Sequence, residues 1–291
     1  MIHAQELLEW SSILAGFSSI PADSCVVHDT GKPLTRMLAS INATPGDLLL
    51  AKQFGCDGYL LHHPLAGTAR LHFHRVLERM IELMVEAGAP EDRARESVQP
   101  LHTRARFNDH AADWDALRSA AEAIGITLVN IHLAADELGR RVMLGALSSL
   151  NEDDTLADVK AALLRNNEIA HPHNEVLLVP DDPARRAGRI AVMHAGGTNG
   201  GAAVAECLFE HANIGTVVYI HLAGEDARRL AARGAEGKPG SVVVAGHLPC
   251  DAIGMNLLID AIESEHDIVI IPAGGIRPYR PDPRPFPTIE P

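Results

Sequence analysis

Short apolar runs of strand length recur along the chain: GYLLHH, ITLVNIH, EVLLV, RIAVMH, TVVYIH, SVVVAGH and DIVII. Stretches with helical patterning lie between them. Strands and helices that alternate in this way predict an α/β layered sheet. The segment INATPGDLLLAKQFG reads as one short helix, with Thr44 as N-cap, Pro45 at the first helical position and Gly55 at its end. GYLLHH follows, which puts His62 and His63 at the C-terminal end of a strand. A helical stretch from about Leu71 to Gly88 and a charged helical segment to about Ile124 come next. Gly125 ends that segment and ITLVNIH begins a second buried strand.

Further on, AADELGRRVMLGALSS is helical, and Asp154 or Thr155 caps a helix in NEDDTLADVKAALLR. A helix is expected from about Ala252. With 291 residues the chain can bury a sizeable core, and two lobes are expected, 1–150 and 151–291. LLLAKQFGCDGYLLH and AAVAECLFEHANIGTVVYIH echo one another as helix, glycine-containing turn, strand and terminal His, as two related lobes would. The Pro-rich end, RPYRPDPRPFP, cannot be helix and is expected to wrap a surface or a partner subunit.

Charge narrows the function classes. The formal net charge is −13, and the 25 Lys and Arg residues are spread along the chain with no basic face. Nucleic-acid binding is disfavoured, and a small-molecule substrate is expected instead. The start of the chain lacks a basic segment followed by an apolar one, and no run is long enough to span a membrane, so a cytoplasmic protein is expected. Cys25, Cys56, Cys207 and Cys250 show no CxxC spacing and read as buried thiols. Any metal would therefore be held by nitrogen and oxygen.

Three histidine clusters stand at predicted strand ends. His62 and His63 end one strand. His132 ends another, with Asp136 four residues later, and His247 ends a third, with Asp251 four residues later. Neighbouring side chains on a regular strand point to opposite faces, but the turn at a strand end can bring both toward one cleft. In α/β sheets, ligands bind outside the carboxyl ends of the strands. Imidazole and carboxylate without thiolate suit zinc, manganese or iron, and vicinal histidines with several carboxylates suggest a binuclear centre. Histidines on predicted helices or loops, His74 among them, are expected in solvent, and His221 is intermediate. The loop AGGTNGG could offer backbone N–H groups at Gly196 and Gly197 to a phosphate. A tight turn permitted by glycine explains it equally well, because it has neither GxGxxG spacing nor a P-loop Lys-Ser/Thr.

In that order, DGYLLHHP, NIHLAAD and GHLPCD resemble the Nif-three-like family (NGG-one-interacting factor three), widely described as GTP cyclohydrolase I type 2 homologues. The likeness runs from about Ile41 to Glu263, with a longer helical insert between the first two motifs. The resemblance implies two similar layered α/β lobes with a metal site at strand ends between them. It implies two divalent metal ions per chain held by His62, His63, Asp136, His247 and Asp251, with His132 behind them, and a ring-shaped homo-hexamer; in such a site His132 or a free carboxylate is expected to relay the proton. Three departures stand out. Asp251 replaces a Glu, HLAGED replaces a Thr-Gly-Glu segment, so that Gly224 and Glu225 survive and His221 is new, and the aspartate-rich stretch before the HHP strand is shortened. The resulting expectation is a binuclear metal-dependent hydrolase of a small molecule, nucleotide-like molecules among the candidates. The rival from another class is a non-catalytic metal-binding chaperone, store or interaction scaffold.

Overall fold

The structure is a computed structural model that describes residues 2–276, so the Pro-rich end of the sequence lies outside the described residues. The strands are β1 (Cys25–His28), β2 (Arg36–Ser40), β3 (Gly58–Leu61), β4 (Thr127–Asn130), β5 (Leu177–Val179), β6 (Ile190–Val192), β7 (Thr216–Tyr219), β8 (Ser241–Val244) and β9 (Val269–Pro272). They form two sheets, ordered β1-β4-β3-β2-β9 and β5-β8-β7-β6. Within each sheet every pairing is parallel except that of the first strand, which runs antiparallel to its neighbour at the edge. The expected α/β architecture with two lobes is what the chain adopts. Among the described residues, no helix is long and apolar enough to cross a membrane.

The division of the chain differs from a single boundary near residue 150. Among the described residues, one compact unit holds 2–76, 105–138 and 251–276, and the other holds 77–104 and 139–250. The reason lies in the pairing of β9, the last strand. It runs parallel to β2, with Arg36 opposite Val269 and Ala39 opposite Pro272, so the end of the chain returns to the sheet that its beginning started.

In the first unit, β3 and β4 are buried along their whole length, which is why GYLL and ITLV read as unbroken apolar runs. Successive residues split between two cores. Met37, Ala39, Leu60, Val129 and Ile270 face the helices Ala4–Leu14 and His247–Glu265. Leu38, Tyr59, Leu61, Leu128 and Ile271 face the helices Pro45–Gln53 and Ala116–Ile124. Gly58 opens β3 because a Cβ there would come within 2.7 Å of Leu34 and 3.0 Å of Met37. Thr44 caps the Pro45–Gln53 helix as expected, with Asp47 accepting from the Thr44 N–H at 2.7 Å. Gly125 ends the Ala116–Ile124 helix in the left-handed conformation.

In the second unit, Thr155 and not Asp154 is the N-cap of the Leu156–Leu163 helix, in a reciprocal box with Asp158. The Gly201–His211 and Gly224–Ala235 helices connect β6, β7 and β8 in right order for a parallel sheet. Tyr219, fully buried, donates its hydroxyl to the Gly201 carbonyl at 2.9 Å. The helix expected from Ala252 begins earlier, at His247, so His247 and Asp251 both lie on it.

Candidate metal centre

His62 and His63 follow directly on β3, and the ladder does not stop at Leu61. His62 N–H donates to the Ser40 carbonyl and His63 N–H to the Ile41 carbonyl, each at 3.0 Å. Buried Asn130 donates its amide to the His62 carbonyl at 2.5 Å. With the backbone pinned on both sides, the two imidazoles sit with ring centroids 5.1 Å apart. The strand end thus brings adjacent side chains into one neighbourhood.

His132 lies two residues beyond β4, its centroid 4.7 Å from that of His62 and 5.8 Å from that of His63, and the Phe73 ring meets it edge-on at 6.1 Å. Asp136 stands in the first turn of the Leu133–Leu147 helix, where the backbone dipole favours a carboxylate. Its Oδ1 is 3.3 Å from His62 Nε2. Asp251 Oδ2 approaches His63 Nε2 at 3.2 Å and His62 Nε2 at 3.8 Å. His62, His132, Asp136 and Asp251 are buried, and His63 is partly so. Two sets of three, His62–His63–His132 and His62–Asp136–Asp251, each place one ligand atom per residue within 4.8 Å of the others.

The orientation of the rings shows what the cluster suits. In each of the three histidines, Nδ1 is tied to a protein oxygen: the Ile131 carbonyl at 3.3 Å for His62, Asn42 Oδ1 at 2.8 Å for His63, and Asp23 Oδ2 at 2.7 Å for His132. A ring that donates from Nδ1 keeps Nε2 for something else. Metal-ligating histidines are held in this way, with the outer nitrogen bonded to a carbonyl or carboxylate. Among the described residues, His62 Nε2 is buried yet makes no hydrogen bond, a costly arrangement for a buried polar atom. A divalent cation would satisfy it and would balance the carboxylates facing it, so the donor set fits a metal ion.

Protonation differs across the cluster. Burial pushes the His63 pKa down despite its hydrogen bond to the Asp251 carboxylate, which leaves a neutral imidazole of the kind metals bind. Burial would push His132 down too, but the charges of Asp136 and Asp23 outweigh it and raise its pKa to about 9. His132 therefore holds a proton at neutral pH in the absence of metal.

His247 opens the His247–Glu265 helix, one turn ahead of Asp251 and on the same face. The boundary between the two compact units falls inside this helix, after Cys250. In the second unit the His247 ring lies 4.5 Å from that of His221, and the Asn199 amide meets His221 Nδ1 at 2.5 Å. Gly196 and Gly197 sit in the loop after β6, both buried, and a Cβ on Gly196 would meet the Met80 side chain at 3.3 Å. Gly197 has φ +85°, the conformation of a glycine-dependent turn. His74, expected in solvent, is instead bonded through Nδ1 to buried Asp109 at 2.9 Å, beside Arg70. A buried carboxylate needs such partners, and its distance in sequence hid the pairing.

Sequence reasoning missed Asn42 and Asp23, which orient two of the rings. Neither belongs to a motif, and Asp23 lies 109 residues from His132.

Fold and site together define a two-lobed α/β protein with an imidazole–carboxylate cluster at the strand ends of one sheet. No family model matches the chain, and no curated protein matches it significantly. Among solved structures, a NIF3 superfamily protein from Sphaerobacter thermophilus is 36% identical, with a TM-score of 0.87 over 94% of this chain and 99% of that one. The chain belongs to the NIF3 superfamily. More distant structures share the fold. Reduced HcgD from Methanocaldococcus jannaschii is 14% identical, with a TM-score of 0.56 over 93% of this chain and 97% of that one. Staphylococcus aureus protein SA1388 is 12% identical, with a TM-score of 0.56 over 98% and 99%.

Proposed function

We propose that this protein is a metal-dependent hydrolase of a small molecule, with two divalent ions held by His62, His63, Asp136, His247 and Asp251. The observation that carries the reading is the set of three imidazoles whose Nδ1 atoms are all engaged by protein oxygens, two with Nε2 set against Asp136 or Asp251. Bound ions would supply Lewis acidity and a nucleophilic water near neutral pH. The chain's own residues do the rest. His63 binds as a neutral ring, and the Asn42 amide oxygen keeps its Nδ1–H out of the way. His132 moves a proton at Nε2, working best near its own pKa, with its other nitrogen fixed by Asp23. Phe73 meets the His132 ring edge-on and gives it an apolar neighbour.

The acidic balance of the chain supports a small substrate in preference to a polyanionic macromolecule. The reading is tested by incubating zinc- or manganese-loaded protein with a panel of amides, cyclic ureides, nucleotides and phosphoesters. Turnover that needs metal and falls at least about 100-fold in His132→Gln supports it. Metal retained with no turnover on any substrate class would favour the scaffold instead.

A further inference from the structure

We propose that Asp23 is a positioning residue: it holds the His132 ring through an Nδ1–H bond, so that Nε2 is the ring nitrogen left to take a metal ion or carry a proton. The inference rests on the metal-binding reading above only for its functional consequence, since the geometry stands in the metal-free protein. Asp23 belongs to the loop PADS ahead of β1 and is fully buried. A carboxylate taken out of water is costly unless charged or hydrogen-bonding partners compensate. The partners of Asp23 are His132 and Ser24. Oδ2 accepts from His132 Nδ1 at 2.7 Å, and Oδ1 accepts from the Ser24 hydroxyl at 3.4 Å. Ser24 Oγ in turn accepts from the His132 backbone N–H at 2.9 Å. Side chain and main chain of His132 are thus tied to two consecutive residues, which leaves the ring little freedom to flip.

The three histidines are not held alike. His62 and His63 donate to neutral oxygens, a backbone carbonyl and an amide. His132 donates to a carboxylate. Charge-assisted bonds are roughly twice as strong as neutral ones, and a carboxylate behind an imidazole both fixes the tautomer and makes the far nitrogen a better donor to a metal or proton. One member of the cluster is therefore held through Nδ1 more firmly than the others. A loop that merely needed anchoring would not require a charge at a fully buried position, because Ser24 already holds the His132 main chain.

The test has two arms. In the metal-free protein, two-dimensional ¹⁵N spectra of the imidazoles are recorded above the His132 pKa, with the His132 signal assigned by its disappearance in His132→Gln. A proton on Nδ1 and none on Nε2 is the expected result, and an Nε2–H tautomer would overturn the proposal. In the second arm, zinc affinity is measured by chelator competition for wild type, Asp23→Asn and Asp23→Glu. Loss of affinity by about 10- to 100-fold in Asp23→Asn, with part of it recovered in Asp23→Glu, is expected. Equal affinity in wild type and a folded Asp23→Asn would overturn the proposal. Wild type that binds no zinc would instead sink the metal-binding reading, and the tautomer arm alone would then decide the role of Asp23.

Discussion

The ends of β3 and β7 occupy the same place in their respective sheets, second strand from one side of a parallel core, and the comparison separates what the fold provides from what the residues add. Ile131 N–H bonds the Leu61 carbonyl at 2.9 Å, and Ala245 N–H bonds the Tyr219 carbonyl at 2.8 Å, so Leu61 and Tyr219 correspond. Two residues later each strand reaches a histidine, His63 or His221, and in both cases an asparagine from the loop after the neighbouring strand meets Nδ1: Asn42 at 2.8 Å and Asn199 at 2.5 Å. The strand end and its oriented histidine are thus properties of the repeated framework. The difference falls one position earlier, where β3 is followed by His62 and β7 by buried Ile220. His62 is the residue common to both sets of three in the first unit, and it meets Asp136 and Asp251. Two sites with similar scaffolding differ in chemistry because only one has a buried imidazole with carboxylates around its Nε2.

The largest expected effect follows from that position. His62→Ala lowers zinc affinity by more than about 100-fold, because even the outer partners of metal ligands are worth about 10- to 100-fold. His221→Ala changes affinity by less than about tenfold. Chelator competition with both variants measures the contrast, and equal losses would mean that the two strand ends contribute alike. Next come the cores beneath them. Leu60→Ala in β3 removes a fully buried side chain and costs about 2–5 kcal/mol. Val218→Ala in β7 removes fewer carbons and costs roughly 2 kcal/mol. Urea unfolding of the two variants checks the order.

A pH experiment sharpens the comparison further. The His132 pKa is raised from 6.5 to about 9, so its protonated form contributes stability that is complete below about pH 6.5 and is lost as pH rises through 9. The His63 pKa is lowered from 6.5, so its contribution acts below that pH and is silent in this window. Chelator-treated protein should therefore lose on the order of 2 kcal/mol between pH 6.5 and 9.5, and His132→Gln should flatten the profile. The smallest effect lies outside both strand ends. Thr155→Ala removes the cap of the Leu156–Leu163 helix and costs about 1 kcal/mol, with zinc affinity unchanged.

The sequence made the strand ends legible because apolar runs stop at histidines, and a run such as GYLLHHP shows its own end. His62, His63, His132 and Asp136 could be placed together for that reason. The start of the chain was harder. CVVH and RMLAS are short and carry little patterning, so β1 and β2 were not anticipated, and with them went Asp23 and Asn42, whose meaning depends on partners 109 and 21 residues away. The return of β9 to the first sheet was hidden for a similar reason. DIVII announces a strand, but its pairing with Arg36–Ala39 is decided by packing across the whole chain. His247 read as a strand end and proved to be the first residue of a helix, which changes its relation to Asp251 from two separate elements to one helical turn.

The most direct measurement is the metal content of protein purified without chelator, by elemental analysis of wild type beside His63→Ala and His247→Ala. About two equivalents of zinc, manganese or iron per chain, lost in both variants, is the expected result. A metal-free wild type, or a metal content that neither substitution changes, would contradict a metal centre built on these histidines.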